Sequence, residues 1–153
     1  MHTSPVFRAA TAADRDAVEQ LLTSHALPVA GVAEMFAHDP SQFIVATHDE
    51  ALVAVAGVEE CCTYALLRSV AVRSDWQRHG LGHTLVERAV AQAEARGMNA
   101  LYLLTLTAEH YFPRFGFTRV ERAEVPAEVA GTVEFAGACP ASAVAMRRPL
   151  AAA

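Results

Sequence analysis

Leu66-Leu67-Arg68-Ser69-Val70-Ala71-Val72, followed after Arg73–Trp76 by Gln77-Arg78-His79-Gly80-Leu81-Gly82, is the stretch from which the fold is read. An apolar run of strand length leads into a polar loop that carries glycine. From Leu81 to about Arg96 the apolar residues Leu81, Leu85, Ala89, Val90 and Ala93 recur at helical spacing and form one stripe. Gly97 then stands where a helix ends in a left-handed residue. Ala100–Leu106 follows at once as a continuous apolar run, the pattern of a strand buried on both faces. Strand, helix and strand in some forty residues make a βαβ unit, with the glycine loop at its first turn.

Outward from this unit the chain reads as further short elements. Val6–Ala10 is a strand, and Thr11 with Asp14 three residues on opens a helix to about Ser24. Val32–Ala37 is a short helix stopped by Asp39-Pro40. Gln42–Thr47 and Leu52–Val58 form a hairpin around His48-Asp49-Glu50. Downstream, Ala108–Arg114 reads as a last short helix before Gly116. Phe117–Glu121 and Ser142–Arg147 read as strands, and Val125–Pro140 stays ambiguous. The expected architecture is α/β, in one domain spanning 1–153: a mixed, mostly antiparallel sheet with helices on both faces.

Composition narrows the partners. The formal charge is −5 and all twelve basic residues are arginines without a cluster, a poor footprint for nucleic acid or an anionic membrane. The absence of lysine excludes a Walker-type loop or a Schiff base. No apolar run reaches the ~18–20 residues that span a bilayer. The start Met1–Pro5 lacks the regions of a secretory signal. Three cysteines, two of them adjacent, do not make a disulfide framework, so a cytoplasmic location with reduced thiols is expected.

Two glycines at the mouth of a helix let a ligand approach backbone N–H groups that have no intrahelical acceptor. Together with the helix dipole and Arg78, they build a loop for an anion. A Rossmann loop would carry a third glycine where Leu85 stands, and a P-loop would carry Gly-Lys-Ser/Thr. The sequence instead resembles Gln/Arg-x-x-Gly-x-Gly/Ala, the pyrophosphate loop of the GNAT acetyltransferases, with Val70-Ala71-Val72 similar to the Val-x-Val strand before it. Ala108–Phe117 resembles the second motif of that superfamily, a short helix ending in Gly-Phe beside the pantetheine arm.

Leu66–Val72, Leu101–Thr105 and Glu134-Phe135…Cys139-Pro140-Ala141-Ser142-Ala143 are similar to the GNAT proteins found beside arsenic-resistance genes. That group is itself similar to the acetyltransferase domain of N-acetylglutamate synthases. The resemblance implies a sheet splayed at its central parallel pair and acetyl-CoA as co-substrate. It also implies an acceptor amine that is glutamate-like or an arsenic or phosphorus analogue. In the family mechanism the amine attacks the thioester directly in a ternary complex, without a metal or a nucleophilic cysteine. Val70, Ala71 and Val72 would hold the arm, and Gln77, Arg78, His79, Gly80, Leu81, Gly82 and His83 the pyrophosphate, with Phe112 flanking the arm. The family's acid, a Tyr four residues before the motif glycine, is replaced here by Phe112. Tyr111, one residue earlier, would face elsewhere on a helix, which weakens its candidacy as the acid.

For the base, Glu59 and Glu60 could act through water, or could be solvated charges at a turn. Arg68 is a charge inside an apolar strand, which is costly unless the charge is paired or faces a cavity. By period two it shares a face with Val70 and Val72, while Ser69 shares the other with Leu67 and Ala71. Arg68 is therefore read as a clamp for a substrate carboxylate, with Ser69 beside it, or else as half of a structural ion pair. His79 and His83 lack a third ligand, so no metal is expected. Cys61 and Cys62 would point to opposite faces of a strand, which argues against joint ligation, and Cys139 is read as packing or else as lining the acceptor pocket. Family habit suggests a homodimer. The competing functions are acetylation of a protein or peptide and a catalytically silent acyl-CoA sensor.

Overall fold

The computed structural model describes residues 4–151. Part of the start Met1–Pro5, and the two ends of the expected 1–153 domain, lie outside the described residues. Among the described residues seven strands occur: β1 (Val6–Ala9), β2 (Phe43–His48), β3 (Ala51–Cys61), β4 (Tyr64–Val72), β5 (Ala100–Thr105), β6 (Thr118–Arg119) and β7 (Val144–Pro149). They order as β1-β2-β3-β4-β5-β7-β6. The pairs β1/β2, β2/β3, β5/β7 and β6/β7 run antiparallel, and β4/β5 runs parallel. The described residues also hold four α-helices: α1 (Arg15–Ser24), α2 (Val32–His38), α3 (Leu81–Ala95) and the single turn α4 (Ala127–Ala130).

The chain forms two compact units. One holds the residues up to Gly57 together with Ser69–Ala89, and the other holds Val58–Arg68 with everything from Val90. In the first unit, β1–β3 supply antiparallel strands, and Val18, Leu21 and Leu22 of α1 pack with Val32, Met35 and Phe36 of α2 over Phe43, Val45 and Val55. The rings of Phe36 and Phe43 stack at 4.7 Å. The hairpin between β2 and β3 turns on Asp49 and Glu50, both at positive φ, which matches the twist of the flanking strands. The entry to α1 is a 3-10 turn, Ala12–Asp14, in which Asp14 accepts from the Thr11 N–H at 2.8 Å.

The second unit packs Leu66 of β4, Ala100 and Tyr102 of β5 and Ala145 of β7 against Val125 and Val129. Its parallel ladder pairs Tyr64, Ala65 and Leu66 with Ala100, Leu101 and Tyr102, although β4 runs on to Val72 and β5 to Thr105. Gly97, at φ +75, ends the helical segment as its position implied.

Three expectations need correction. Ala108–Arg114 is not a helix: a turn closes on Ala108 O, and a 3-10 turn spans Phe112–Phe115. Pro113 has no N–H to donate and disfavours a helical residue before it, so an α-helix cannot run through this point. The strand read at Phe117–Glu121 shrinks to Thr118–Arg119, and the ambiguous stretch contains α4 and a π-type turn at Glu134–Ala138. The period-two assignment along β4 also fails, because Ser69 sits at φ +58. A left-handed residue inside a strand reverses the alternation, so Arg68, Ser69 and Ala71 are all buried while Val70 and Val72 are only partly so.

Candidate functional site

Val70–Val72 and Gln77–His83 belong to the first unit, where the end of β4 meets the start of α3. Arg73 binds Asp75 at 2.7 Å, and the Trp76 N–H donates to Arg73 O, tying residues 73–76 into a tight turn. The Gln77 side-chain amide donates to Val72 O at 3.2 Å, which fastens the loop to the strand it leaves. Arg78 and Gly80 are left-handed, at φ +67 and +79. This pair of reversals turns the chain so that Gly80 starts α3, and the Thr84 N–H closes the first helical bond onto Gly80 O at 3.1 Å.

The amides of Leu81 and Gly82 therefore lie in the first turn, where a helix has no acceptors of its own. The position a Cβ would take at Gly80 has no atom within 4 Å, so the space over the loop is open to an approaching phosphate. At Gly82 a Cβ would meet only Val72 Cγ2 at 3.8 Å, an ordinary contact. Arg78 and His79 are exposed, and His83 lies 3.4 Å from Glu87. No cluster of three metal-ligating side chains occurs among the described residues.

Glu59, Arg68, Tyr111 and Phe112 belong to the second unit. The Arg68 side chain is 0% exposed and is held by Glu59 at 2.9 Å and Glu134 at 3.4 Å. The ion-pair reading of Arg68 is thus realised in the structure, with two carboxylates of the chain on one guanidinium. Glu134 was not singled out from the sequence as a site residue. Its signal was a charge between Val133 and Phe135, weak because the elements there could not be read. Burial pushes the Glu134 carboxyl above its ordinary value, against the pull of Arg68 and a hydrogen bond with the Cys139 thiol, while Glu59 adds to the rise.

Glu59 and Glu60 are not at a turn, since β3 continues to Cys61 and the turn falls at Cys62-Thr63. Glu59 keeps 20% of its side chain exposed, and Glu60 binds Arg96. Burial, with Glu59 next, pushes the Cys61 thiol up to about 12. The Cys139 thiol is raised to about 11, by burial first and then by Glu134. Neither is a thiolate near neutral pH.

Tyr111 packs edge-to-face on Phe112 at 5.4 Å and on Phe115 at 5.3 Å, with the Arg114 guanidinium 4.4 Å above its ring. Because no helix forms here, the 100° separation expected between Tyr111 and Phe112 does not apply. Burial raises the Tyr111 hydroxyl above its ordinary value, outweighing the nearby Arg114, so it stays protonated at neutral pH.

The family model of the acetyltransferase (GNAT) domain matches residues 39–119. An amino-acid acetyltransferase of Mycobacterium tuberculosis is 31% identical over 135 residues, covering 82% of this chain and 75% of that protein. An uncharacterized N-acetyltransferase of Chlorobaculum tepidum is 32% identical over 76 residues, 45% of this chain and 48% of the relative, so the match spans about half of that protein. In fold, the chain is similar to the N-acetylglutamate synthase of Neisseria gonorrhoeae complexed with coenzyme A and N-acetyl-glutamate. That likeness has a TM-score of 0.81 at 19% identity, over 99% of this chain and 36% of the other.

Proposed function

Because the chain belongs to the GNAT acetyltransferase family, we propose that it transfers an acetyl group from acetyl-CoA to the amine of a small, amino-acid-like acceptor. The observation that carries the reading is the loop Gln77–Gly82. Two left-handed residues swing the start of α3 over open space, and its first amides are left to meet a diphosphate. The acceptor class rests on the amino-acid acetyltransferase relative of M. tuberculosis, and a glutamate-like compound or its arsenic or phosphorus analogue is the substrate we put forward.

In this reading the amides from Gly80 to His83 hold the pyrophosphate and Arg78 neutralises it. The backbone groups of Val70, Ala71 and Val72 hold the acyl-pantetheine arm, and Phe112 is assigned to the same co-substrate. The acceptor nitrogen attacks the thioester carbon, and an amide N–H of β4 stabilises the oxyanion that forms. The C–S bond then breaks and the thiolate of coenzyme A leaves. Holding both reactants together makes the step effectively intramolecular.

Glu59, the most exposed member of its buried cluster, takes the ammonium proton directly or through water. Arg68 fixes the Glu59 carboxylate, and Ser69 is assigned to the acceptor. Tyr111, held protonated by burial, is the group we assign to protonate the thiolate.

The test is free-thiol release from acetyl-CoA with a panel of amino acids that includes glutamate and its phosphorus and arsenic analogues. Release with a glutamate-like amine, reduced about 100-fold or more in kcat by Glu59→Gln, supports both acceptor and base. Tight binding of acetyl-CoA without release across the panel would sink the small-acceptor reading. It would favour a peptide acceptor or a sensing role instead.

A further inference from the structure

The second unit buries one carboxylate more than Arg68 needs for neutrality. The Arg68 side chain is 0% exposed and Glu59 meets it at 2.9 Å, a pair whose charges already cancel. Glu134, with 6% of its side chain exposed, brings a second carboxylate to the same guanidinium at 3.4 Å. With both carboxylates ionised, the cluster holds one negative charge in excess.

The chain fixes Glu134 in that place. The Thr132 hydroxyl donates to Val129 O at 2.6 Å, the Ala136 N–H to Thr132 O at 2.8 Å, and the Cys139 N–H to Glu134 O at 3.1 Å. The Cys139 thiol is hydrogen-bonded to the Glu134 carboxyl. Arg96 and Arg122 are turned to other partners, Arg96 to Glu60 and Arg122 to the carbonyls of Pro140 and Ala143. Burying a second carboxylate is costly, and its raised proton affinity shows the cost despite the pull of Arg68. A carboxylate held so beside the group assigned as base marks a working site rather than a stable core.

We propose that Glu134 determines the charge of the acceptor the site receives: it leaves the Glu59–Arg68 pair with one negative charge in excess, which draws the amine in as its ammonium. The inference rests on the acetyl-transfer reading above and assigns within it the residue that selects the protonated amine. Without Glu134, Glu59 and Arg68 would cancel, and an ammonium would meet no net charge at the base. With it, the bound ammonium completes a neutral set of two carboxylates and two cations. Transfer of the proton to Glu59 then leaves a neutral amine beside a neutral cluster, so no charge is stranded in a buried place. Glu134 acts through Arg68 and is a positioning residue. The carboxylates of a glutamate-like acceptor face away from the cluster, which repels them.

The groups facing Glu134 are Arg68 on β4, Glu59 on β3 and the Cys139 thiol. Cys139, raised to about 11, and Cys61 beside Glu59, raised to about 12, stay neutral through the acid range. Protonation of Glu134 removes the excess charge, so acceptor affinity falls as pH drops through its raised value.

The experiment follows thiol release from saturating acetyl-CoA with L-glutamate, and inhibition by 2-hydroxyglutarate, which carries a hydroxyl in place of the amine. In Glu134→Gln, the same shape without the charge, the KM for glutamate should rise about tenfold or more, with kcat changed less. The KM for acetyl-CoA should stay as it was, and 2-hydroxyglutarate should inhibit as well as before or better. Glu134→Asp, which keeps the charge, should bring the glutamate KM most of the way back. In Cys139→Ala the lost thiol donor raises Glu134 further, so the acid-side rise in glutamate KM should begin at higher pH than in the wild type.

If Glu134→Gln weakens glutamate and 2-hydroxyglutarate alike, or leaves both unchanged, Glu134 only packs the site, and the acetyl-transfer reading stands without it. If the wild type releases no thiol with glutamate, the glutamate-like acceptor fails and takes this inference with it. Should Glu134→Gln not fold, an acid limb unmoved in Cys139→Ala overturns the inference by itself.

Discussion

Gly80 and Gly82 look alike in the motif, yet the structure gives them different duties. Gly80 is at φ +79, a conformation that costs another residue about 1 kcal/mol or more, whereas Gly82 is not in that region and has room for a methyl group. Gly80→Ala is therefore expected to lower stability by about 1 kcal/mol, while Gly82→Ala leaves it unchanged or raises it slightly, because alanine is the better helix former. Urea denaturation of the two variants side by side checks this. Arg68→Ala strips the guanidinium from Glu59 and Glu134 and should cost about 3–5 kcal/mol, the usual result of leaving buried charge without its partner. Glu134 adds a pH signature. Its folded value is raised above the ordinary 4.5, so the folded chain holds that proton more tightly than the unfolded chain does. The resulting stability is present below about pH 4.5 and is lost as pH rises through the raised folded value. The Tm of Glu134→Gln should accordingly gain on that of the wild type as pH rises from about 4.5 through the raised folded value. A constant difference across that range would show that Glu134 does not titrate in this way.

At the scale of elements, capping was legible and strand interruptions were not. Thr11 and Asp14 announce the entry to the first helical segment because a carboxylate three residues into a helix can accept the N-terminal amides. In the structure Asp14 does so and also holds Arg8 at 2.7 Å. The side-chain bond from Arg8 is the main reason that its carboxyl lies below the ordinary value. Asp14→Ala should lower stability by about 1 kcal/mol near neutral pH, measurable as a shift in the denaturation midpoint. That difference should shrink as the solution is acidified below the ordinary carboxylate range, since protonation removes the same bonds. Ser69 carried no such signal. Nothing in Arg68-Ser69-Val70 marks a left-handed residue, and alternation assumes that every residue of a strand is extended. The segment 108–115 failed for a reason that could be read, since Pro113 already barred a helix through it.

For the whole molecule, the expected behaviour is that of a protein whose ligand binds the folded chain alone. Acetyl-CoA at 100 times its Kd should add about 2.7 kcal/mol of stability. For a chain of this size that corresponds to a Tm rise of roughly 5–10 °C. A thermal melt with and without the donor checks it, and the same melt with ATP separates a specific site from a general affinity for polyphosphate.

The sequence by itself determined the strands and helices up to β5, the βαβ unit among them and the glycine loop at its first turn. These depend on local pattern: apolar spacing, a glycine at a helix mouth and a glycine at a helix end. It also raised the question of Arg68, because a charge in an apolar run is an anomaly that local reasoning can see. Only the tertiary structure decided the answer. The partners of Arg68 lie nine residues before it and sixty-six after it, and no local pattern brings Glu59 and Glu134 to one guanidinium. Periodicity reports which face of an element is apolar. It does not report which distant side chains that face will meet, because that depends on how the elements pack.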